Sequence, residues 1–232
     1  MKLTKIIDEE YTDVQSCNNS ELKNEKTVEE LISAYQRWEI NFKKMKDSEI
    51  INWATSLVKL GVQELKDIRY DSSDITACTV SLGAFDGEEI FIAGYFISAM
   101  VYNHQEEYIK KHQEAHSEYR EADRKKYQEK NEERNKYLLI TEHFQTPLLG
   151  LGAFNKSDIL IQGDAGDFLG IYMHSGIIRV SGKARDDIGT NMTGGRIEII
   201  GSYKSIGQNC KGEGIYSRGK KVYPKKIKRI IK

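Results

Sequence analysis

The sequence predicts an α+β protein built on a short β-solenoid of about 19 residues per coil, with an N-terminal helical cap and an inserted long helix or helical hairpin. Three observations predict this fold class. A glycine-rich motif recurs every 19 residues in the last third of the 232-residue chain, an apolar stripe at helical spacing runs through residues 27–62, and a charged segment without glycine or proline covers residues 103–137. A fixed period of this length indicates one structural unit stacked on copies of itself.

The repeat is seen when the chain is cut at Gly163, Gly182 and Gly201. Its first two copies, GDAGDFLGIYMHSGIIRVS and GKARDDIGTNMTGGRIEII, match closely, and the third, GSYKSIGQNCKGEGIYSRG, keeps part of the pattern. Glycine suits sharp corners, whereas each glycine would destabilise a helix by about 1 kcal/mol. The structural repeat residues are Gly163, Gly170, Gly176, Gly182, Gly189, Gly195, Gly201, Ile178, Val180, Ile197 and Ile199.

Aliphatic residues two positions apart predict one strand in each copy. Ile178 and Val180 face the same side of a strand, and Ile197 and Ile199 take the same places one copy later. Strands stacked in register about 4.8 Å apart would form an aliphatic ladder inside the solenoid.

Charged residues at equivalent positions predict ion pairs between coils. Arg179 would lie over Glu198 on the solvent side, and Asp164 over Lys183. Opposite charges that face each other on neighbouring strands stabilise a sheet by about 0.2–1 kcal/mol per pair.

Two upstream segments are similar to the repeat and predict further coils. LGAFNKSDILIQG, residues 151–163, and LGAFDGEEIFIAG, residues 82–94, agree at seven of 13 positions, and chance is the alternative for the earlier one. In the later segment the positions of glycine, methionine and the two aliphatic residues fall on Gly152, Phe154, Ile159 and Ile161. The predicted division is a flexible leader at 1–26, a helical cap at 27–70, a first coil at 75–94, an inserted charged arm at 95–141, the repeat domain at 142–219 and a basic tail at 220–232.

The run from Gly163 to Gly201 resembles the GXGXG repeat domain, which is shared by the C-terminal domain of the glutamate synthase large subunit and by one of the subunits of formylmethanofuran dehydrogenase. The resemblance covers about 60 to 80 of the 232 residues. It implies a right-handed parallel β-helix that packs between catalytic parts and holds no catalytic residue itself. The chain lacks the N-terminal glutaminase cysteine and a cysteine cluster for an iron–sulfur centre, so the resemblance supports the fold more than either activity. The residues that carry it are Gly163, Asp164, Gly166, Gly170, Met173, Gly176, Gly182, Gly189, Met192, Gly194, Gly195 and Gly201.

Residues 27–70 predict a pair of capping helices. Thr27 begins a capping box, and a second helix begins at Asp47 or Ser48. The apolar stripe of the first helix consists of Leu31, Ala34, Tyr35, Trp38 and Phe42. Because the end of a solenoid exposes apolar interior and unpaired strand groups, we expect these helices to cover one end.

The insertion at 95–141 predicts a solvated helix supported by Glu-to-Lys pairs four residues apart, such as Glu106–Lys110. A thin seven-residue series, which would suit a coiled coil, consists of Val101, Tyr108, Ala115 and Ala122. Forty residues of straight helix would reach about 60 Å. A helix of that length would keep the coil before it from stacking on the coil after it, which leaves three alternatives. The insertion folds back as a hairpin, which we favour; the early copy lies outside the stack; or the helix reaches a partner in a homo-oligomer.

Composition and reactive side chains favour a non-catalytic protein. The 35 acidic and 35 basic residues balance, the three cysteines are isolated, and no signal peptide or apolar run of about 20 residues is present, which predicts a cytoplasmic protein. His112 and His116 have zinc-ligand spacing but lack the HExxH glutamate. We favour a surface role for these histidines and for His174, and charge compensation for the stacked aspartates Asp164, Asp167, Asp186 and Asp187. No catalytic residue, metal ligand, cofactor-binding residue or cofactor is expected.

The last 13 residues, KKVYPKKIKRIIK, carry seven positive charges and no negative ones. Such a segment can bind nucleic acid, an anionic surface or an acidic protein. The candidate partner-binding residues of this tail are Lys220, Lys221, Lys225, Lys226, Lys228 and Arg229.

The sequence therefore predicts a non-catalytic structural or adaptor protein that uses its β-helix and helical arm to hold partner subunits. The first alternative is a stand-alone subunit of a split glutamate synthase or of a formylmethanofuran dehydrogenase-type oxidoreductase complex. The second alternative is a nucleic-acid or anionic-surface binder that acts through the basic tail, and it is not favoured.

Overall fold

The computed structural model describes residues 25–45, 53–85, 90–117 and 136–224, with residues 111–117 described through their backbone only. In this part of the chain four α-helices precede six strands, which form one sheet in chain order. The helices are α1 Glu25–Lys44, α2 Trp53–Leu65, α3 Ser72–Leu82 and α4 Ala93–Ser117, with a 3₁₀ turn at Ile90–Ile92. The strands are β1 Lys136–Ile140, β2 Asp158–Gln162, β3 Ile177–Val180, β4 Arg196–Ile199, β5 Gly214–Ser217 and β6 Lys220–Tyr223. Within the described ranges, none of the helices has the length and hydropathy needed to cross a bilayer.

The predicted α+β fold with a parallel β-helix is confirmed by the pairing of β1 to β5, which are all parallel. Ile159, Ile178, Ile197 and Ile215 are direct neighbours in the sheet and are fully buried. The two central pairs, Ile159–Ile178 and Ile178–Ile197, are 19 residues apart. The predicted aliphatic ladder therefore forms the inside of the solenoid.

The loop of each central coil contains three alternate residues with positive φ. In the first of these coils they are Phe168 at 61°, Gly170 at 67° and Tyr172 at 55°. The amides of Phe168 and Tyr172 donate to the following coil, to Asp186 and Thr190 carbonyls at 2.9 Å, whereas the Gly170 amide donates back to the preceding coil. Gly170 faces inwards, where a Cβ would lie 2.7 Å from Ile197 Cδ1. The corners thus depend on outward-facing side chains as well as on glycine.

The predicted pair Arg179–Glu198 forms, with Arg179 Nε 3.0 Å from Glu198 Oε2, but its expected place on the solvent side is wrong. Arg179 is 8% exposed and Glu198 is 6% exposed. Arg196 Nη2 also contacts the Glu198 carboxylate, and the Arg196 guanidinium packs 4.1 Å from the Tyr216 ring centroid. The neighbouring side chains therefore enclose this pair, which strand alternation alone cannot predict.

The predicted β-helix coil at residues 75–94 is wrong, because residues 75–82 belong to helix α3, residues 90–92 form a 3₁₀ turn and residues 93–94 begin helix α4. Helix α3 begins with a capping box in which the Asp71 carboxylate accepts from the Ser73 and Asp74 amides. Gly83 ends the helix at φ −64°, whereas its counterpart Gly152 has φ +70°. The shared letters LGAF therefore end a helix in one place and turn a coil in the other.

Helices cover the first coil, as expected, but the contacts come from α3 and α4 and not from the predicted capping helices at residues 27–70. Thr76 Oγ1 in α3 donates to the Leu138 carbonyl of β1 at 2.7 Å, and Ser98 Oγ in α4 donates to the Gly150 carbonyl at 2.8 Å. Helices α1 and α2 pack on α3 and α4, and one apolar core runs through the cap and the solenoid. Residue Gly61 of α2 permits close packing on α4, since a Cβ there would lie 2.5 Å from Ala99 Cβ.

Several predicted boundaries change at the N-terminal side. Helix α1 begins at Glu25, so that Thr27 is a buried residue inside the helix and not its cap. The predicted start of the second helix at Asp47 or Ser48 and most of the predicted leader lie outside the described residues. The described part of α2 begins at Trp53.

The first half of α4 belongs to the core and not to the predicted arm at 95–141. Phe96, Ile97 and Met100 are fully buried, and Val101, the first member of the predicted coiled-coil series, is 2% exposed. These four apolar residues recur at three- and four-residue spacing, so they lie on one face of the helix, and that face packs into the core. Residues 118–135 lie outside the described part, so the choice between a long helix and a hairpin stays a prediction.

Strand β6 covers the other end of the solenoid and pairs antiparallel with β5. Lys220 and Lys221 belong to this strand, so the predicted tail begins too early. The Lys221 ammonium donates to the Glu213 carbonyl at 2.7 Å, and the Tyr223 hydroxyl donates to the Cys210 carbonyl at 2.8 Å. These contacts fold the segment back on the last coil. The remaining tail residues Lys225, Lys226, Lys228 and Arg229 lie outside the described residues.

Candidate functional site at the base of the helical arm

Helix α4 changes from a buried to an exposed environment after Gln105. Gln105 is 1% exposed, whereas Glu107 and Lys110 are exposed. Residues 106–117, called the outer half of α4 below, add about 18 Å of helix at 1.5 Å per residue. One continuous helix therefore joins the core of the cap to the turn that carries the exposed residues Glu107 and Lys110.

A buried pair of amide side chains fixes this helix to the solenoid. Gln105 Nε2 donates to Asn155 Oδ1 at 2.8 Å, and Gln105 Oε1 accepts from the Lys156 amide at 3.1 Å. Asn155 is 1% exposed, and its side-chain amide donates to the Ser157 carbonyl at 2.6 Å. Buried amides satisfied in this way hold one geometry, because any shift would leave a polar group without a partner.

Sequence reasoning missed this junction, although a signal for it was present. Gln105 follows Ile97 and Val101 at four-residue spacing and is therefore a polar residue on an apolar helix face. Asn155 occupies the place in its coil that His174 and Thr193 occupy one and two repeats later, and these two later residues are exposed. A polar residue on an apolar stripe indicates a buried hydrogen-bond partner elsewhere in the chain.

A cleft of about 480 Å³ lies beside this junction. Its lining consists of Glu106, Glu107, Ile109, Lys110 and Lys156. Lys156 Nζ contacts Glu106 Oε1 at 2.5 Å, and Arg69 Nη1 lies 3.4 Å from Glu107 Oε1. The cleft therefore presents charges of both signs around one aliphatic side chain.

Aromatic residues lie next to Lys156 of the cleft, whose ammonium is 5.8 Å from the Tyr102 ring centroid. Phe154 stacks on Tyr172 with 5.1 Å between ring centroids, and Tyr102 meets the Phe154 ring edge to face at 6.3 Å. Phe154 was expected at the position of the repeat methionine, and this is wrong: it is half-exposed at φ 58°. Met173 and Met192, by contrast, are fully buried.

The thiols of the described residues are not arranged as nucleophiles. Burial raises the pKa of Cys78 to about 12 and the pKa of Cys210 to about 11. Since the thiolate is the reactive form, both groups are protonated and weakly nucleophilic near neutral pH.

The histidines take different places. His174 is exposed, with Nδ1 3.1 Å from Thr193 Oγ1, as expected for a surface residue. His104 is half-buried, with Nδ1 2.8 Å from the Tyr137 hydroxyl, and burial lowers its pKa. The side chains of His112 and His116 lie outside the described residues.

The stacked aspartates hold the backbone of the next coil. Asp164 Oδ1 accepts from the Lys183 amide at 2.6 Å, and Asp167 Oδ1 accepts from the Asp186 amide at 3.0 Å. The Asp164 carboxylate therefore binds the backbone of Lys183, where a side-chain ion pair was expected. No group of three or more His, Cys, Asp or Glu residues in the described ranges could hold a metal ion.

The repeat glycines occupy corners of the coils for two reasons. Gly163, Gly170, Gly176, Gly189 and Gly195 have positive φ. Gly182 and Gly201 allow close approach between coils, since a Cβ would lie 2.5 Å from the Gly163 carbonyl oxygen and 2.5 Å from the Gly182 carbonyl oxygen, respectively. The predicted repeat residues are thus structural parts of the solenoid wall.

Comparison with known proteins identifies no relative. No protein-family model, no curated protein and no solved structure matches the chain. The resemblance of residues 163–201 to the GXGXG repeat domain therefore stays a prediction from the sequence.

Proposed function

We propose that this protein is a non-catalytic adaptor that binds a partner protein through the outer half of α4 and the cleft at its base. The observation that carries the proposal is the buried Gln105–Asn155 junction. It joins helix α4, in which Glu107 and Lys110 are exposed, to a closed solenoid in a single orientation. A rigidly held helix is a low-entropy binding element, because little conformational freedom is lost when a partner binds.

The covered ends of the solenoid favour a role as a stable scaffold for a partner protein. Helices α3 and α4 lie over the first coil, and β6 pairs with the last strand. Open solenoid ends expose strand edges that can pair with other chains. Because this chain covers both ends with its own residues, association through the cleft is favoured over end-to-end stacking.

The state of the reactive groups supports a non-catalytic role. The buried thiols of Cys78 and Cys210 have raised pKa values. The carboxylates of Asp164 and Asp167 accept hydrogen bonds from backbone amides of the next coil. These groups stabilise the fold in their present contacts, and none of them lines the cleft.

The charges at the cleft favour a protein partner with a complementary mixed pattern. Glu107 and Lys110 are exposed and have opposite signs, and Lys156 adds a second positive charge. With Glu106 the lining has two acidic and two basic side chains, so a uniformly charged polymer would meet one repulsive group for each attractive one. Patterns of this kind contribute mainly to specificity and association rate.

A charge exchange on the outer half of α4 tests this proposal. Glu107→Lys combined with Lys110→Glu keeps the net charge while reversing the pattern. Used as bait in lysate from the native cell, this variant is expected to retain at least tenfold less of a specific partner than the unaltered protein, by quantitative mass spectrometry. The matched control, Lys26→Glu with Glu30→Lys, reverses an exposed pair on α1 and is expected to retain the partner.

Two results would contradict the proposal. The exchanged variant could retain the same proteins in the same amounts as the control, which would place binding elsewhere. The purified protein could turn over a substrate without any partner, which would make it an enzyme.

The oxidoreductase-subunit alternative is supported by one observation, the stacking of the repeat residues that carry the resemblance. Met173 and Met192 are both buried, and Gly176 and Gly195 have φ of 79° and 80° at equivalent places in successive coils. An inert subunit of such a complex would also act as a support. Co-purification with a flavin-, glutaminase- or molybdopterin-containing protein would distinguish it from a general adaptor.

A further inference from the structure

Positive charge is concentrated at the C-terminal end of the chain. Residues 201–232 contain ten Lys or Arg residues and one acidic residue, Glu213, which gives a net charge of +9. Since the whole chain is neutral, residues 1–200 carry −9. The net negative charge is spread over residues 1–200, whereas the net positive charge is confined to the last 32 residues.

The fold brings part of this charge together on the last coil and its hairpin. Lys211, Arg218 and Lys220 are exposed, and none of the three forms an ion pair with another described residue. Lys204 is different, because its ammonium lies 3.5 Å from Asp186. We call the set Lys211, Arg218 and Lys220 the basic end.

The basic end is broad. Lys211 lies before strand β5 and Arg218 lies after it. A strand of four residues is about 13 Å long at 3.3 Å per residue. Cations separated by such a distance suit a polymer of phosphates better than one phosphate group. The eight residues after Pro224 add five more positive charges and no negative one.

We propose that the basic end binds the phosphate backbone of a nucleic acid without sequence preference. When Lys and Arg side chains neutralise phosphates, counterions are released from the nucleic acid, and this release drives binding that does not depend on sequence. The proposal is independent of the adaptor proposal, because it concerns the opposite end of the solenoid from helix α4.

The described surface favours a nucleic acid over a membrane. The exposed large apolar residues of the described ranges are Ile40, Trp53 and Val80, all in the helical cap. At the basic end Val222 and Tyr223 are only half-exposed and pack against the core. Binding to a membrane surface needs apolar residues that enter the lipid in addition to charge.

The same surface offers no means of reading bases. Base readout in the major groove uses a helix or a free two-stranded ribbon with side chains directed at base edges. No described helix lies among residues 201–224, and the β5–β6 pair is the edge of the six-stranded sheet and not a separate ribbon. Tyr216, two residues before Arg218, is already covered by Arg196 and Lys221. Contacts to phosphates alone predict binding that depends on salt and not on sequence.

Fluorescence anisotropy with the full chain tests this inference. The probes are a labelled DNA duplex of about 20 base pairs and a labelled RNA of about 20 nucleotides, each titrated between about 50 and about 300 mM salt. The variant Lys211→Glu, Arg218→Glu, Lys220→Glu is expected to bind at least tenfold more weakly at low salt. Its slope of log affinity against log salt is expected to fall by about 2 to 3, because three phosphate contacts are lost.

A matched control separates the basic end from net charge. The variant Lys44→Glu, Lys59→Glu, Lys66→Glu changes three exposed lysines of the helical cap and alters the net charge by the same amount. It is expected to bind within about threefold of the unaltered protein. A chain ending at Pro224 is expected to keep part of the salt-dependent binding, because the basic end remains in it.

Four results would overturn the inference. The unaltered protein could fail to bind either probe at the lowest salt concentration. Both triple variants could lose affinity equally. Truncation at Pro224 could abolish binding while the basic-end variant keeps it, which would assign binding to the tail alone. Vesicles containing phosphatidylserine could bind the protein while both nucleic acids do not, which would make the partner a membrane.

Discussion

The two central coils of the solenoid and its two ends are built in different ways. In the central coils, Ile178 stacks on Ile197 and the same backbone angles recur in each loop. At the ends, single side chains such as Thr76, Ser98 and Tyr223 satisfy individual backbone carbonyls. The difference shows that a sequence repeat predicts the structure of the central coils. The residues that close the ends of the solenoid do not recur at the repeat spacing, so the repeat does not predict their contacts.

The largest effect is expected from breaking a central corner. Gly176 has φ +79°, and a Cβ there would clash with the Ser157 carbonyl oxygen of the preceding coil. Gly176→Ala is therefore expected to lower the free energy of unfolding by about 3 kcal/mol or more, measured by urea denaturation.

The control for this change lies at the C-terminal end. Gly219 has φ +72° but nothing within 4 Å of its added Cβ. Gly219→Ala is expected to cost only about 1 kcal/mol, the penalty of the left-handed angle itself. Equal losses in both variants would show that close packing between coils does not matter at Gly176.

The next effect concerns the buried charges of the central coils. The Glu198 carboxylate pairs with both Arg179 and Arg196. Glu198→Gln is expected to destabilise the protein by about 3 kcal/mol in thermal or urea unfolding, because the buried Arg179 guanidinium and the partly buried Arg196 guanidinium lose this negative charge.

An exposed pair provides the comparison for Glu198. Asp186 lies 3.5 Å from Lys204, with side chains that are 41% and 59% exposed. Asp186→Asn is expected to change stability by less than about 0.5 kcal/mol. If Glu198→Gln were as mild as this control, the pair would be solvated, as strand alternation predicted.

A moderate effect is expected at the N-terminal end. Gln105→Leu removes the acceptor of the Lys156 amide and the donor of one hydrogen bond to Asn155. The expected loss is about 2 kcal/mol, from a buried donor without an acceptor. Gln162→Leu is the control, since Gln162 donates at 3.3 Å to an exposed carboxylate, and it should stay within about 0.5 kcal/mol. A neutral result for Gln105→Leu would mean that the junction is not rigid, and the adaptor proposal would lose its main support.

The smallest effect is a dependence on pH at the same end. Burial lowers the pKa of His104 below its ordinary value of 6.5, against the opposing influence of Asp71, Glu107 and Asp74. The unfolded chain therefore binds a proton at higher pH than the folded chain, and stability falls as the pH decreases from 6.5 towards the folded pKa. At higher pH both states are neutral at His104 and its contribution is constant.

The measurement compares the unaltered protein with His104→Gln by urea unfolding between about pH 5.5 and about pH 8. The difference between the two curves is expected to change by less than about 1 kcal/mol, and only below about pH 6.5. A difference that grows above about pH 7 would contradict the assignment of the lowered pKa to His104.

Sequence reasoning predicted the central coils well because their restraints repeat. Ile178 and Ile197 were placed in the ladder, and Arg179 was paired with Glu198, from spacing alone. The burial of that pair depends on the side chains around it, which alternation along one strand does not contain.

The errors at the N-terminal end have a related cause. The segments at Gly83 and Gly152 share the letters LGAF, but the preceding residues decide their structure. Asp71 begins a capped helix that continues to Leu82, and this local preference overrides a short similarity. The Gln105–Asn155 junction joins residues from different elements, so only the polar residue on an apolar helix face could have indicated it.

The antiparallel strand β6 has a consequence for how such a chain can lengthen during evolution. It occupies the edge of β5 on which another parallel coil would have to pair. A duplicated copy added after residue 224 would find that edge taken, whereas a further 19-residue copy between β3 and β4 would meet matching neighbours on both sides. Growth of this architecture is therefore expected by internal duplication, with the closing hairpin carried along unchanged.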